Sequence, residues 1–442
     1  MSKSSKKITR RQMLRSVSAT GMALTVPNIV PSSVLGKNAP SNRINVGMIG
    51  MGRQAFYANT NPFLQSKDCK IIAVCDVDNW RLGKAKEKID SFYKNKDCKA
   101  YTDWRQVVSR DDIDAVMVST SDQWHVPISL AAVRKGKHVS CEKPLTLSIN
   151  EGRVLSDAAR KHGVVFRTDS ECRSHSYMHK TAELAINGYL GKIKRIEVGV
   201  PAGDKPGGNP APMDIPPELD YDMWTGPAPM KPYTLDRVHP RHSYGRPGWM
   251  RCRTTCEGMI TNWGTHLLDV AQQLNGTERT GPVSVEATGK YPEPGSGLWD
   301  VLIDFKAQFK YADGVILDYL IAVPYLRVEG EDGWIQAHWH SKGGLKAHDR
   351  SIFQTKFKKS DIRLPQRSDK GDFIYAIKNG CNTMADAEVG HRTCSLGQLA
   401  HIAIQRKKKL SWNPAAEHFT NDDKANDMLK IEHRDPWLLN AM

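Results

Sequence analysis

Short apolar runs alternate with longer amphipathic stretches over the first part of the chain. The apolar runs are typical of strands buried on both faces, and they predict strands at 44–49, 70–76, 114–120, 138–141 and 164–166. The amphipathic stretches predict helices at 54–66, 80–93, 104–109 and 126–135, and a further helix that Asn150 caps and that runs to Lys161. Strands that alternate with helices in this way predict a doubly wound parallel sheet.

The pattern changes after about residue 168. Residues 201–255 are rich in proline, glycine, tryptophan and charge, which favours long loops over a site. Later segments predict strands at 193–200, 284–291, 299–311, 315–323 and 333–339, and helices at 182–189, 372–379 and 391–407. We therefore predict a second, α/β domain over 169–442, built on a large, mostly antiparallel open sheet.

The first predicted strand runs into the turn Gly50-Met51-Gly52-Arg53-Gln54-Ala55, which has the form G-x-G-x-x-A. The glycines of such a turn let the main chain approach a pyrophosphate, and the helix that follows offers free N–H groups. Asp76 ends the next strand, 26 residues after Gly50, close to the spacing of a carboxylate that binds ribose hydroxyls. An acid there can also simply end a strand. The pattern predicts a dinucleotide-binding Rossmann domain over 43–168.

A carboxylate at position 76 would repel a ribose 2′-phosphate, which favours NAD over NADP as the cofactor. Arg81, five residues further on, could soften that preference. The nine cysteines show no C-x-x-C or other metal-ligand spacing, so we expect no metal site. Cys252 and Cys256 are the closest loop pair, and the sequence cannot assign them to a disulfide.

Basic residues and a twin arginine, Arg10-Arg11, precede a short, mildly apolar run at the N-terminus. This pattern predicts a Tat export signal over residues 1–36, the alternative being a disordered basic leader. Its removal would take away six basic and no acidic residues, so the formal charge would fall from +15 to +9. No apolar run is long enough to span a membrane. The basic run 406–409 is typical of a solvated helix end, and we expect no nucleic acid partner.

Two motifs carry candidate chemistry. Lys143, in Glu142-Lys143-Pro144, ends a predicted strand and would point its ammonium into the cofactor cleft. There it could bind a substrate hydroxyl and stabilise a developing oxyanion, unless it is a surface lysine. In the stretch 258–269, helical spacing would place Asn262, His266 and Asp269 on one face. His266 is a candidate acid or base or a buried structural histidine, and Asp269 would orient His266 or pair elsewhere.

These motifs resemble those of the Gfo/Idh/MocA oxidoreductases, in their Tat-exported subgroup. The resemblance covers essentially everything after residue 43, and its further motifs are 75–78, 119–125, 198–203, 224–229 and 435–437. It implies a Rossmann domain, a C-terminal α/β domain whose open sheet makes homo-oligomer contacts (a dimer or tetramer), and hydride transfer at a carbon of a carbohydrate substrate. The implied NAD-binding residues are Gly50, Met51, Gly52, Arg53, Gln54, Asp76, Arg81, Ser119, Thr120, Trp124, His125, Glu142, Lys143 and Arg173.

The resemblance implies Lys143, His266 and Asn262 as the catalytic residues. The family's D-x-x-x-H pair is here Asn262 and His266, and an asparagine cannot relay a proton. Proton transfer then depends on His266, Lys143 or a residue from another loop. Arg173 is our choice for a nicotinamide or substrate contact among the polar residues that follow the last Rossmann strand, the others being Glu171, His175 and Tyr177.

Three functions are compatible with these residues. The first is a periplasmic NAD(H)-dependent oxidoreductase of a sugar or glycoside. Because free NAD is scarce outside the cytoplasm, we expect such an enzyme to hold its cofactor tightly. The second is an NAD-dependent glycoside hydrolase or lyase that works by transient oxidation at C3 and elimination, as in the NAD-dependent α-N-acetylgalactosaminidases included in the resemblance. The third is a non-catalytic NAD-binding protein.

Overall fold

A parallel sheet forms the centre of the first part of the described chain. The computed structural model describes residues 43–339 and 344–439. The strands of this sheet are β1 (Ile44–Ile49), β2 (Cys69–Cys75), β3 (Lys99–Tyr101), β4 (Ala115–Val118), β5 (His138–Glu142) and β6 (Phe166–Asp169). Within the described residues their order is β3-β2-β1-β4-β5-β6, and every pairing is parallel. The order reverses between β1 and β4, and ligands of doubly wound sheets bind at the carboxyl ends of strands beside such a reversal. The predicted sheet is confirmed.

Helices cover both faces of this sheet. They are α1 (Thr60–Gln65), α2 (Asn79–Tyr93), α3 (Trp104–Val108), α4 (His125–Arg134) and α5 (Ile149–His162), and a π-helical turn (Ala55–Asn59) precedes α1. The cap predicted at Asn150 is wrong. Ser148 caps α5 because its hydroxyl accepts from the main-chain N–H of Glu151, whose own carboxylate accepts from the Ser148 hydroxyl and the Leu147 N–H. Asn150 lies inside the first turn.

The second part of the described chain is built on a mixed sheet. Its strands are β7 (Ile193–Val200), β8 (Ser284–Lys290), β9 (Asp304–Lys310), β10 (Ile316–Ile321), β11 (Tyr325–Gly330), β12 (Trp334–His338), β13 (Leu345–Ala347), β14 (Leu410–Asn413) and β15 (His418–Phe419). In the described part of the chain the order is β13-β12-β11-β7-β10-β9-β8-β14-β15, with only β7 and β10 parallel. This confirms a large, mostly antiparallel sheet, although the pattern did not predict β11, β13, β14 or β15.

The helices of the second part are α6 (Ser176–Ile186), α7 (Tyr221–Thr225), α8 (Met259–Asn262), α9 (Gly264–Leu274), α10 (Asp369–Asn379), α11 (Ala387–Arg406) and α12 (Asp423–Asp427). The core under the sheet includes Leu267 of α9 and Leu399 of α11 together with Phe309 and Tyr319. The helix predicted through the Asn262–Asp269 stretch is interrupted at Trp263, between α8 and α9.

Residues near the end of the described chain pack against the parallel sheet and its helices. Phe373 of α10 packs edge-on against Phe63, and Trp437 packs against Trp124. The core of the parallel sheet therefore includes residues from both ends of the described chain. The domain boundary near residue 168 stays a prediction.

Several sequence predictions concern other parts of the molecule. The Tat signal over 1–36 lies outside the described residues. Among the residues that the structure describes, no helix is long and apolar enough to cross a membrane, and no cluster of histidine, cysteine and acidic side chains is arranged to hold a metal ion. Cys252 and Cys256 are buried and form no disulfide.

Candidate active site

A cavity of about 450 Å³ opens at the carboxyl ends of the parallel strands. It brings together most of the residues predicted from the sequence: Gly50, Gly52, Arg53, Gln54, Asp76, Arg81, Ser119, Thr120, Trp124, His125, Glu142, Lys143, Asn262 and His266. Met51 and Arg173 are not among the lining residues. The cavity therefore joins the predicted cofactor turn, the predicted lysine and the residues of α8 and α9.

The glycine turn fits a dinucleotide. Gly50 has φ +82°, and a Cβ there would lie 2.8 Å from the main chain of Ser119, so only glycine is accommodated. A Cβ at Gly52 would meet no atom within 4 Å, which leaves open space beside the main chain. Met51 is buried, and its N–H donates to the Asp76 carboxylate at 2.6 Å. The turn is thus held by the same carboxylate that would bind the ribose.

Asp76 is fixed in place by main-chain donors. Besides Met51, the N–H of Asp78 donates to it at 2.8 Å. Burial raises the pKa of Asp76, and these two hydrogen bonds act in the opposite direction. Each carboxylate oxygen can accept a second bond, so Asp76 keeps acceptor capacity for ribose hydroxyls.

Arg81 borders the cavity, yet its guanidinium is already engaged. It forms a buried ion pair with Asp78 at 2.6 Å. It also donates to the main-chain carbonyls of Pro240 and Ser243 at 3.0 and 2.8 Å. Three of its five N–H groups are therefore committed to the protein, which leaves Arg81 less able to bind a 2′-phosphate and so to soften the preference for NAD.

Residues 239–250 form what we call the covering loop. His239 reaches Asp78 at 3.0 Å, and the Tyr244 ring stacks on Phe56 with 4.4 Å between ring centres. Burial opposes ionisation of Asp78, but His239 and Arg81 together lower its pKa to about 2. Tyr244 and Trp249 line the cavity. The loop therefore closes over the Asp76 side of the site and is attached to the first turn of α2.

Lys143 is positioned from two sides. Its ammonium donates to the main-chain carbonyl of Asn262 at 3.0 Å and to the side-chain oxygen of Asn262 at 3.2 Å. Next to it, the carbonyl of Pro144 lies 2.7 Å from Nδ1 of His125, a buried ring whose pKa burial lowers. His125 thus holds the segment that carries Lys143 rather than offering a free ring to a ligand.

Glu142 is a second buried group beside Lys143. Asn59 donates its amide to the Glu142 carboxylate at 2.8 Å and to the hydroxyl of Ser119 at 2.9 Å. Asn59 is 2% exposed and immediately precedes α1, so these two hydrogen bonds connect the start of α1 to the ends of β4 and β5. No sequence motif marks Asn59 as a site residue, since an asparagine within a predicted helix is ordinary.

His266 presents one unprotonated nitrogen. Its Nδ1 lies 2.6 Å from the carbonyl oxygen of Ser170, which can only accept, so Nδ1 carries the hydrogen. Burial and the neighbouring Lys143 lower the pKa of His266 to about 3, so the ring is neutral at physiological pH. Nε2 is therefore an acceptor on a residue that lines the cavity.

Arg173 does not line the cavity, which corrects its prediction as a nicotinamide contact. It is buried and donates to both carboxylate oxygens of Asp269, at 2.9 and 2.6 Å, and to the carbonyl of Met384 at 2.5 Å. Asp269 in turn accepts from the Ser170 hydroxyl at 2.6 Å. Asp269 therefore supports Ser170, and Ser170 orients His266. Asp269 therefore pairs with Ser170 and Arg173 and acts on His266 only through Ser170.

Comparison with protein families agrees with this geometry. Residues 44–170 match the family model described as "Oxidoreductase family, NAD-binding Rossmann fold". Residues 207–439 match the model described as "Oxidoreductase family, C-terminal alpha/beta domain". The chain belongs to the Gfo/Idh/MocA oxidoreductase family.

Curated relatives match only part of the chain. A glycosyl hydrolase family 109 protein from Shewanella sp. (strain MR-4) is 31% identical over 173 residues, which are 35% of this chain and 37% of that protein. An alpha-N-acetylgalactosaminidase from Shewanella oneidensis has the same identity and the same shares, 35% and 37%. The chain thus matches little more than a third of the length of these relatives.

Solved structures share the fold over most of the chain. An aldose-aldose oxidoreductase from Caulobacter crescentus, complexed with glycerol, aligns with a TM-score of 0.62 at 16% identity, over 84% of this chain and 99% of that one. A levoglucosan dehydrogenase in complex with NADH and levoglucosan aligns with a TM-score of 0.60, also at 16% identity, over 84% and 99%.

Two acids in the cavity of this Gfo/Idh/MocA chain were not predicted as site residues. Glu171 follows β6 with φ 63°, a left-handed backbone that a non-glycine residue rarely adopts. Burial, with Glu142 nearby, raises the pKa of Glu171 to about 7. Asp122 lies in the loop after β4, and burial raises its pKa to about 8 against the effect of Cys256 and Lys143. Both residues line the cavity.

The sequence contained a signal for only one of these acids. Asp122 lies in the polar loop that follows a buried strand, where ligand contacts of parallel sheets are expected. Glu171 was one of four polar residues considered after β6, and sequence spacing gave no means to prefer it over Arg173. The backbone conformation at position 171 decides which of the two side chains borders the cavity.

Proposed function

We propose that this chain is an NAD(H)-dependent oxidoreductase that acts on a hydroxyl or carbonyl carbon of a sugar or glycoside. One observation carries the proposal: Lys143 and the unprotonated Nε2 of His266 border the same cavity as the Gly50–Gln54 turn and Asp76. When bound, NAD supplies hydride transfer. Gly50, Gly52 and the main-chain N–H groups of the turn would hold its pyrophosphate, and Asp76 its ribose.

The side chains divide the remaining work. Lys143 donates a hydrogen bond to the reacting oxygen and stabilises negative charge on it. Asn262 holds the Lys143 ammonium through two oxygens. His266 accepts a hydrogen bond from a second substrate hydroxyl through Nε2, since its low pKa makes it a weak base. Glu171, with a pKa of about 7, is better matched to accept the hydroxyl proton at neutral pH.

We further propose that the dinucleotide is tightly bound. The covering loop closes over the Asp76 side of the cavity, and Asp78, Arg81 and His239 attach it there. Release of the cofactor would require these contacts to break. Tight binding also suits an exported enzyme, and we propose export by the Tat route to the periplasm. The absence of the protein from periplasmic fractions would contradict this localisation.

A second candidate function is an NAD-dependent glycoside hydrolase or lyase. It is favoured by the 31% identity to an alpha-N-acetylgalactosaminidase. In such a reaction a carbohydrate would be oxidised transiently at C3, a base would remove the C2 proton, and the aglycone would leave. Water would then add at C1, and C3 would be reduced again. Glu171 or His266 would be the base. The net reaction is redox-neutral, which also suits a compartment without a dinucleotide pool.

One experiment separates the two functions. The purified protein, with bound dinucleotide measured by absorbance, is offered free sugars and aryl glycosides in parallel. A stable rise of the NADH absorbance with a free sugar, without bond cleavage, supports the oxidoreductase. Release of aglycone without net NADH supports the hydrolase and contradicts the plain dehydrogenase. Absence of both reactions over a broad panel would favour the non-catalytic alternative.

The resemblance also leads us to propose a homo-oligomer, a dimer or tetramer, formed through the open face of the mixed sheet. On β9 the side chains alternate between buried and exposed positions, as expected for a sheet covered on one face. Light scattering of the purified protein tests this proposal, and a monomer at all concentrations would contradict it.

A further inference from the structure

A second cavity, of about 550 Å³, lies between the start of α5, the second half of α11 and the loops 227–229 and 253–257. It shares no lining residue with the active-site cavity, although the consecutive residues Asp122 and Gln123 line the first and the second cavity respectively. We propose that this second cavity binds a neutral, hydroxyl-rich ligand, a saccharide unit, separately from the reacting one.

Two glutamines that line this cavity carry acceptor oxygens without a partner in the protein. Gln398 donates its amide to the carbonyl and hydroxyl oxygens of Thr146 at 3.0 and 3.1 Å. Gln123 donates its amide to the carbonyl of Trp224 at 3.2 Å. Because a carbonyl can only accept, these bonds fix which end of each amide is the nitrogen. The Oε1 atoms of Gln398 and Gln123 are buried and have no hydrogen-bond partner in the protein.

A carboxylate adds a third acceptor. Oε1 of Glu257 lies 3.0 Å from Nδ1 of His401, and Nε2 of His401 lies 2.5 Å from the Tyr291 hydroxyl. The Tyr291 hydroxyl can donate to Nε2 of His401, and the ring can then donate from Nδ1 to Oε1 of Glu257. In this arrangement each of the two contacts is a hydrogen bond with one donor and one acceptor. Oε2 of Glu257 is buried without a partner in the protein. Buried polar atoms are normally paired, so three unpaired acceptors on residues that line one cavity point to a ligand that donates hydrogen bonds when these side chains turn towards it.

The rest of the lining narrows the class of ligand. Asp300 and Glu432 add negative charge, and Arg253 is the one arginine or lysine among the lining residues, while His433 is already paired with Glu151, so an anionic ligand is disfavoured. Pro227, Pro229 and Ile402 supply apolar contact, which a simple metal cation could not use. Sugar hydroxyls can donate to the three acceptors and accept from Arg253, while the C–H face of the ring packs on apolar side chains.

Binding is tested on the full-length protein with its cofactor, using galactose and N-acetylgalactosamine as probes. Crystals soaked with each sugar should show it in the second cavity, in contact with Oε1 of Gln398 and with Glu257. Calorimetry should show that Gln398→Leu weakens this binding event about tenfold, as expected when a hydrogen bond to a buried acceptor is lost. Gln366→Leu, a glutamine substitution remote from the cavity, is the matched control and should leave binding unchanged.

Arg253→Ala serves as a second variant, because Arg253 is exposed and its removal should leave folding intact. It should also weaken the second binding event while the active-site event is retained. Density for water or a cation alone in the soaked crystals would overturn the proposal, as would unchanged affinity in both variants. Neither outcome depends on turnover, so failure of this proposal is distinguishable from failure of the proposed reaction.

Discussion

The Lys143 ammonium donates to both oxygens of Asn262, the main-chain carbonyl at 3.0 Å and the side-chain amide at 3.2 Å. The family's aspartate at this position would supply the same acceptor geometry together with a negative charge. Asparagine keeps the acceptor and omits the charge. Asn262 therefore holds the Lys143 ammonium, and in the proposed reaction a different side chain accepts the proton.

Replacement of Lys143 tests the central role in the proposed reaction. Lys143→Ala should lower kcat at least 100-fold, in the range expected when a group that assists proton transfer or charge stabilisation is lost. Bound dinucleotide, measured by absorbance after gel filtration, should stay at the wild-type level, because the glycine turn and Asp76 are untouched. Wild-type turnover would remove Lys143 from the mechanism.

Two substitutions at Asn262 distinguish positioning from proton relay. Asn262→Asp retains both acceptors and should keep kcat within about tenfold of the wild type. Asn262→Leu removes the side-chain acceptor and should lower kcat by about 10- to 100-fold, with a smaller change in KM, because Lys143 loses one of its two anchors. Equal activity of the leucine variant and the wild type would show that the side chain does not position Lys143.

Glu171 should set the pH dependence of kcat/KM in the proposed reaction. A carboxyl that accepts a proton works in its ionised form, so kcat/KM should rise as the pH passes through about 7, the raised pKa of this group. Glu171→Gln should remove this limb from the profile and lower the rate about 100-fold or more. An unchanged limb in the variant would assign the titration to another group, with Asp122 the next carboxyl to replace.

The covering loop should control cofactor release. His239→Ala removes the contact to Asp78 and should speed dissociation of the dinucleotide about tenfold, the effect of roughly 1.4 kcal/mol. The rate is measured by fluorescence of bound NADH during dilution. Ser243→Ala changes an exposed side chain of the same loop, retains the main-chain carbonyl that binds Arg81, does not alter the cavity lining, and is the matched control. Identical release from both variants would argue against the loop as a retaining element.

Asp122 should make folding stability depend on pH. Its folded pKa of about 8 lies above the ordinary 3.8, so the folded protein holds a proton that the unfolded chain loses. This stabilisation is complete below about pH 4 and declines as the pH rises towards 8. Asp122→Asn does not titrate, so it should be more stable than the wild type at pH 8 by about 1 kcal/mol or more. Thermal melts across this range test the prediction, with the exposed Asp111→Asn as control.

The parallel sheet and the cofactor turn could be predicted because their signals are local. The apolar strand before Gly50, the glycines and the acid Asp76 follow one another at spacings that the backbone geometry of the turn requires. Lys143 could be found for the same reason, as a polar residue at the end of a buried strand. Strand β11 was missed because Tyr325–Gly330 mixes charged and apolar residues over a short length and follows β10 closely.

The site residues that sequence reasoning missed depend on contacts between distant segments. Arg173 was chosen over Glu171 from its position after the last Rossmann strand, but its partner Asp269 lies 96 residues away and accepts hydrogen bonds from its Nε and Nη2 atoms. The commitment of Arg81 to Pro240 and Ser243 likewise depends on a loop about 160 residues further along. Such pairings follow from the tertiary arrangement, which local spacing does not encode.

The bonds that join Ser170 to His266 and Asp269 have a mechanical consequence. They connect the segment after β6 of the parallel sheet to α9, which packs on the mixed sheet. Arg173 strengthens the same connection through its ion pair with Asp269. The two sheets cannot hinge apart at this seam without breaking a buried, charge-assisted network. We therefore expect the cofactor side of the cavity to open by a movement of residues 239–250 rather than by a swing of one half of the protein against the other.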